Sequence, residues 1–131
     1  MTDETELRAT LGEVRRLLNR FQAHPLYAEM NSAQRHHEVP FAIEREGRVE
    51  AGKIDVLYQH AGRWHIVDFK TDEIHKKGKE ETLREKVAEY TPQVKTYATA
   101  IRQLLNTEPE GLLCFLNVAG EVRVELVVAL R

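Results

Sequence analysis

Apolar side chains recur every three or four residues near the start of the chain, and arginines fall between them. The apolar positions are Leu7, Leu11, Val14, Leu17, Leu18 and Phe21. This spacing places them on one side of a helix. The pattern therefore predicts one amphipathic helix over residues 6–22, followed by a polar connection over residues 22–36.

Three further segments are rich in β-branched and aromatic residues or alternate apolar with polar residues, as is typical of strands. They cover residues 37–45, 47–59 and 63–71. Pro40 cannot donate a hydrogen bond within a sheet, so the first of these strands is expected at an edge or a bulge. Ala61 and Gly62 are the turn signal between the second and third strands.

The second half of the chain predicts a loop, a helix and two more strands. Residues 73–82 have no apolar periodicity and predict a mobile loop, with a short helix over 83–89. Thr91 and Pro92 are a typical N-cap and first-turn pair for the following helix. Strands are expected over 111–118 and 121–130. The order α-β-β-β-α-β-β predicts an α/β domain with a central mixed sheet.

Composition and charge narrow the class of protein without identifying a function. The 131 residues correspond to one domain, with 42% hydrophobic and 31% charged residues. No apolar run is long enough for a membrane span, and no apolar signal core begins the chain, so a cytoplasmic location is expected. The single cysteine, Cys114, excludes an internal disulfide and is expected to be buried. A net charge of −2 still permits a local basic surface for nucleic acid.

The hairpin around Ala61 and Gly62 carries acids where an apolar residue would be expected. If these two residues form the turn, counting outward sets Asp55 opposite Asp68 on one face of the sheet. Lys70 shares that face because it lies two residues from Asp68. Opposed carboxylates repel each other unless a cation lies between them, and oxygen ligands of this kind suit Mg²⁺ or Mn²⁺.

Lys70 completes a constellation suited to phosphoryl transfer. A charged lysine cannot bind a metal, but it can stabilise the negative charge that develops when a phosphodiester is cleaved. The alternative is a solvent-facing strand edge with scattered charges. A slip of one residue in the register would move one acid to the other face of the sheet.

Four segments, in order, resemble the PD-(D/E)XK nuclease superfamily: HEVPF, GKID, DFKTD and YTPQVKTY. The similarity covers about Glu38 to Ala100. It is greatest to the RecB/AddA-type nuclease domain at the C-terminus of bacterial helicase–nucleases. The resemblance implies a restriction-endonuclease-like fold and hydrolysis of DNA with Mg²⁺ or Mn²⁺.

The resemblance also implies roles for individual residues. Asp55 and Asp68 match the two metal-binding acids, the main-chain carbonyl of Phe69 matches a further metal ligand, and Lys70 matches the catalytic lysine. Gln93 and Tyr97 match a Gln-x-x-x-Tyr motif that lies beside the active site on the next helix.

Two departures from the family pattern qualify these roles. Glu38 matches the acid of an Arg-Glu-x-Pro-Phe strand, but His37 replaces the arginine. The family also has a metal-binding histidine on an upstream helix, and the helix predicted over 6–22 contains none. A fragment of a longer protein and a chain that has lost a ligand would both explain this absence.

The resemblance finally implies a biological context. Residues 1–131 would be a single nuclease domain of a longer ATP-dependent helicase–nuclease in DNA recombination and repair, and exonuclease action is favoured over endonuclease action. The implied partners are DNA, the helicase portion of the parent chain and a partner subunit. No interaction with a membrane is implied. The alternatives are a catalytically impaired DNA-binding or scaffolding module, and a nuclease acting on RNA or on CRISPR-type DNA intermediates.

Overall fold

The computed structural model describes residues 3–129, which form three helices and five strands. In chain order these elements are α1 (Asp3–Gln22), α2 (Pro25–Ser32), β1 (Gln34–Arg45), β2 (Arg48–His60), β3 (Arg63–Lys70), α3 (Lys79–Leu105), β4 (Glu110–Val118) and β5 (Glu121–Val128). Leu130, at the end of the last predicted strand, lies outside the described residues.

The five strands form one mixed sheet in the order β1-β2-β3-β4-β5. Neighbouring strands are antiparallel except β3 and β4, which are parallel and are joined by α3. A parallel pair needs such a crossover connection, and a helix commonly supplies it. The predicted α/β domain with a mixed sheet is confirmed, and Pro40 lies in the edge strand β1.

The sheet separates two apolar cores. On one side α3 packs against the sheet and buries its own residues, among them Val94, Tyr97 and Ile101. On the other side α1 and α2 contribute buried residues such as Phe21 and Met30. Strand residues alternate between the two cores, so the sheet is covered on both faces.

The helix α2 was missed by the sequence analysis, which predicted a connection over residues 22–36. His24 caps this helix, because its Nδ1 accepts a hydrogen bond from the backbone N–H of Leu26 at 3.0 Å. Pro25 occupies the first turn, where its missing N–H costs little. A helix of eight residues is too short to show a clear apolar period.

The helix α3 corrects a second prediction. The Thr91–Pro92 pair was expected to begin a helix, but both residues lie inside the continuous 27-residue α3. Pro92 interrupts the backbone hydrogen-bond ladder. The Thr91 hydroxyl donates to the Val87 carbonyl at 2.5 Å, a bond from within the helix rather than an N-cap.

The segment before α3 is shorter and better anchored than the predicted loop over residues 73–82. Ile74 is fully buried and forms an isolated parallel bridge with Val118. Its backbone N–H donates to the Asn117 carbonyl at 3.0 Å. This contact fixes the chain between the end of β3 and the start of α3.

The helix α1 extends the predicted helix by three residues but buries little of its apolar stripe. Only Leu17 and Phe21 are buried. Leu7, Leu11, Val14 and Leu18 are each about half exposed. Within the described residues, no helix combines the length and the apolar character that crossing a membrane requires.

Candidate active site

An open cleft of about 550 Å³ lies between α3 and the sheet. Its lining includes most of the side chains that the sequence analysis singled out. The lining residues are Phe41, Ala51, Gly52, Lys53, Asp55, Asp68, Phe69, Lys70, Gln93, Thr96 and Tyr97. The fold therefore brings two acids, two lysines, a glutamine and a tyrosine to one place.

The β2–β3 hairpin confirms the predicted turn and shows where its pairing ends. His60 pairs with Arg63, as expected from a two-residue turn at Ala61 and Gly62. The ladder stops at Val56 and Val67, one pair before the two acids. Asp55 and Asp68 thus lie where β2 and β3 cease to pair, rather than as a bonded pair within the hairpin.

Where the β2–β3 ladder stops, the Asp55 carboxylate serves as a hydrogen-bond acceptor for the backbone of β3. Its Oδ2 accepts from the backbone N–H of Phe69 at 2.9 Å. The bond holds the carboxylate against β3 beside Asp68. Lys53 pairs with Pro40 of β1 and lines the cleft from the β2 side.

The alternation of β2 changes at Asp55. Ile54 belongs to the core on the α3 side, and Val56, two residues later, belongs to the opposite core. A regular strand would place both on one face. This irregularity explains why a strict two-residue count predicted the position of Asp55 only approximately.

Asp68 is a buried carboxylate with an unsatisfied oxygen. Its Oδ2 lies 3.1 Å from the Lys70 Nζ, in an ion pair that lacks hydrogen-bond geometry. That oxygen has no hydrogen-bond partner among the described residues. Burial raises the pKa of the Asp68 carboxyl to about 6, the Lys70 ammonium acts to lower it, and the Asp55 carboxylate acts to raise it. Such a group is suited to receiving a cation.

The Lys70 ammonium is held by α3 as well as by Asp68. Its Nζ donates to the Gln93 Oε1 at 3.2 Å. It also lies 4.2 Å from the centre of the Tyr90 ring, over its face. The side chain is 18% exposed, so the charge remains accessible from the cleft.

Gln93 and Tyr97 both lie on the side of α3 that faces the cleft, as four-residue spacing requires. Tyr97 is buried and packs edge-on against Phe41, with ring centres 5.5 Å apart. Burial, followed by the charges of Asp68 and Asp55, raises the pKa of Tyr97 to about 12. Its hydroxyl therefore stays protonated and can donate a hydrogen bond at neutral pH.

Glu38 is the one predicted site residue that the fold does not bring into the cleft. It is exposed and is not among the lining residues. Its backbone has a φ of 48°, which is unusual for a residue other than glycine. It lies between His37, which pairs with Val56, and Val39, which pairs with Ile54. Glu38 therefore lies at the same irregular step as Asp55.

Tyr90 and Asp72 were missed by the sequence analysis. Tyr90 contacts Lys70, and its hydroxyl donates to the Asp72 Oδ2 at 2.8 Å. The sequence does contain a signal for Tyr90. It precedes Gln93 by three residues, and helical spacing places both on one face. The prediction that a helix begins at Thr91–Pro92 concealed this relation.

The residues present fit a hard divalent cation with an incomplete ligand set. Asp55 and Asp68 both line the cleft, one oxygen of Asp68 is unsatisfied, and Phe69, whose carbonyl the family resemblance assigns as a ligand, lines the cleft as well. Among residues 3–129, no group of three or more His, Cys, Asp or Glu side chains is placed to hold a metal ion.

Comparison with known proteins gives the same fold. The family model described as the PD-(D/E)XK nuclease superfamily matches residues 2–127. A candidate exonuclease from Eubacterium rectale aligns with a TM-score of 0.66 at 16% identity, covering 91% of this chain. The protein SSO0001 aligns with a TM-score of 0.53 at 17% identity, covering 92%. These matches confirm the expected restriction-endonuclease-like fold.

The chain spans about half the length of these solved structures. It covers 46% of the Eubacterium rectale protein and 52% of SSO0001. No significant sequence match to a curated protein was found. At these identities, the structural matches show the fold alone.

Proposed function

The chain belongs to the PD-(D/E)XK nuclease superfamily, and from this premise we propose that it hydrolyses DNA phosphodiesters with the help of Mg²⁺ or Mn²⁺. The observation that carries the proposal is the buried Asp68 carboxylate, whose Oδ2 is unsatisfied beside Asp55 and Lys70. Burying a carboxylate without a full set of partners costs free energy, and such groups are concentrated at functional sites.

Asp55 and Asp68 would hold the cation, with the main-chain carbonyl of Phe69 as a further oxygen ligand. When bound, a divalent cation of this kind polarises a phosphate and lowers the pKa of a bound water. The hydrogen bond from Phe69 N–H to Asp55 leaves the other oxygen of that carboxylate available. Thus β3 both supplies one acid and orients the other.

Lys70 would stabilise the negative charge that develops on the phosphate during cleavage. Its ammonium is already positioned between Asp68 and Gln93, so little reorganisation is needed when substrate binds. The Gln93 oxygen accepts from Lys70, which leaves the amide NH₂ as a donor for substrate oxygens. The exposed Lys53 and the Tyr97 hydroxyl add positive charge and a further donor to the cleft.

We further propose that the domain acts as an exonuclease within an ATP-dependent helicase–nuclease used in DNA recombination and repair. The resemblance of GKID, DFKTD and YTPQVKTY to RecB/AddA-type domains supports this context. A structural neighbour described as a candidate exonuclease supports the mode of action. Digestion of linear DNA without digestion of closed circular DNA would support it, and cleavage of both at equal rates would contradict it.

The test of the nuclease proposal is cleavage of single- and double-stranded DNA with Mg²⁺ or Mn²⁺ by the parent chain and by Lys70→Ala. We expect cleavage that requires the metal and falls by roughly 10²–10³-fold in the variant, as when one charge-stabilising donor is removed from an active site. Lys77→Ala is the matched control, since Lys77 is exposed and lies outside the cleft. Cleavage that survives Lys70→Ala would overturn the role of this lysine.

A second candidate function is a module that binds DNA without cutting it. The observation in its favour is that no third His, Cys, Asp or Glu side chain joins Asp55 and Asp68 as a possible metal ligand among residues 3–129. Binding of labelled DNA with no metal-dependent cleavage, under conditions where the Lys70→Ala variant binds equally well, would favour this candidate.

A further inference from the structure

The Lys70 ammonium has a third neighbour, Tyr90, which lies outside the Gln-x-x-x-Tyr motif. Asp68 and Gln93 hold it at 3.1 and 3.2 Å, and the face of the Tyr90 ring lies 4.2 Å away. The face of an aromatic ring carries partial negative charge and attracts a cation. Tyr90 therefore adds an attraction from α3 without adding a formal charge to the site.

The hydroxyl end of the Tyr90 side chain is also held in place. Its hydroxyl donates to the Asp72 Oδ2 at 2.8 Å, and the Lys86 Nζ lies 3.6 Å from the same oxygen. Asp72 follows Lys70 by two residues, just beyond the end of β3. The ring also lies 6.3 Å from the Phe115 ring, centre to centre. The orientation of Tyr90 is thus determined by both the sheet and the segment that leaves it.

A lysine side chain has four rotatable bonds and needs such restraint to keep one position. If Asp68 were its only partner, the ammonium could move around the carboxylate and approach the place where a cation would bind. Gln93 and Tyr90 both lie on α3, three residues apart, so their attractions hold the ammonium on the α3 side of Asp68. The rest of the carboxylate is left accessible.

We propose that Tyr90 is a positioning residue for Lys70 and that Asp72 orients the Tyr90 ring for this purpose. The expected effect on catalysis rests on the proposed nuclease function, whereas the contact between Tyr90 and Lys70 does not depend on it. Tyr90 does not line the cleft, so its loss should slow the chemical step and leave DNA binding nearly unchanged.

The geometric test is the NMR spectrum of the Lys70 side chain in the full chain without metal. Protons above a ring face are shifted upfield, so the Lys70 ε-methylene protons should show an upfield shift that Tyr90→Leu removes. Tyr90→Phe and Asp72→Ala both keep an aromatic ring at position 90 but remove its hydrogen bond to Asp72, so each should reduce the shift to a similar extent without abolishing it. Tyr27→Leu is the matched control, since Tyr27 is also partly buried but lies on the other side of the sheet.

The kinetic test measures kcat and KM for DNA cleavage in the same variants. Tyr90→Leu should lower kcat about 10- to 100-fold with little change in KM, because misplacement of a catalytic group by about 1 Å has effects of this size. Tyr90→Phe and Asp72→Ala keep the ring but lose the bond between Tyr90 and Asp72, so both should have a kcat between those of the parent chain and Tyr90→Leu. Tyr90→Leu should add no further loss to Lys70→Ala.

The two tests separate the inference from the proposed function. An upfield shift that depends on Tyr90, in a chain that does not cleave DNA, would support the contact and contradict the nuclease. Normal shifts in the parent chain, or full kcat in Tyr90→Leu, would overturn the positioning role while leaving the nuclease intact. An equal loss of kcat in Tyr90→Leu and Tyr27→Leu would show a general structural effect and would also overturn it.

Discussion

The helices on the two sides of the sheet differ greatly in how many of their residues they bury. On one side α3 buries six of its residues and contributes Gln93 to the cleft. On the other side α1, with 20 residues, buries only Leu17 and Phe21. The candidate active site therefore lies on the more completely packed side. Well-packed surroundings can hold a buried carboxylate and a lysine in a fixed geometry.

The same contrast shows what an apolar stripe does and does not predict. The periodicity of α1 correctly predicts a helix, yet Leu7 and Leu11 are more than half exposed. In α3, the Thr91–Pro92 pair led to the prediction of two helices where the structure has one, yet its apolar side is better buried than that of α1. Spacing reports the type of element, whereas burial depends on what the rest of the fold places against it.

The largest expected effect comes from truncating a leucine on the α3 side. Leu113 of β4 is fully buried in that core. Leu113→Ala should lower the free energy of unfolding by about 2–5 kcal/mol, because it removes buried methyl groups and leaves a cavity. Urea unfolding followed by circular dichroism measures this. A loss below about 1 kcal/mol would mean that the core is looser than the structure indicates.

In the metal-free protein, Asp68→Asn should change the free energy of unfolding by an intermediate amount, and should raise it rather than lower it. Burial raises the pKa of the Asp68 carboxyl to about 6, above the unfolded value of about 3.9. Between these values the folded state binds more protons, so the free energy of unfolding falls as pH rises through this window. An asparagine cannot ionise and avoids this loss.

We therefore expect Asp68→Asn to be roughly 1–3 kcal/mol more stable than the parent chain near pH 7.5. The difference should shrink toward pH 4. Unfolding by urea in the presence of a chelator, at several pH values, gives the curve. A variant that is less stable than the parent across the whole range would show that the ion pair with Lys70 outweighs the cost of burial.

The smallest expected effect comes from the matched truncation on α1. Leu11 is 55% exposed, and alanine is the better helix former. Leu11→Ala should change the free energy of unfolding by less than about 0.5 kcal/mol. The measurement is the same urea titration, with Leu113→Ala as its counterpart. A loss comparable to that of Leu113→Ala would show that the α1 stripe is covered in solution.

The sequence predicted the hairpin and the meeting of Asp55, Asp68 and Lys70 because turn chemistry and strand alternation are local. Ala61 and Gly62 adopt positive φ angles, as the two-residue turn requires. Counting outward from that turn placed both acids correctly near one another. It could not predict that pairing stops at Val56, because that depends on the path of β1 and on the bond from Phe69 to Asp55.

The remaining differences have identifiable physical causes. The helix α2 depends on a cap from His24, a residue not among the usual N-caps. The contact between Tyr90 and Lys70 joins residues that are distant in sequence, and a proline within α3 hid their relation. Glu38 was assigned by resemblance alone, and its exposure outside the cleft leaves its role a prediction.

The central claim is that the cleft beside α3 binds a divalent cation through Asp55 and Asp68. Its most direct test is titration of Mn²⁺ followed by electron paramagnetic resonance, comparing the parent chain, Asp68→Asn and the control Glu44→Gln. Glu44 is an exposed acid of β1 outside the cleft. We expect one Mn²⁺ per parent chain and per control, and an affinity at least about 10-fold weaker in Asp68→Asn, as a lost ligand would cause. Equal affinity in all three proteins would contradict the account.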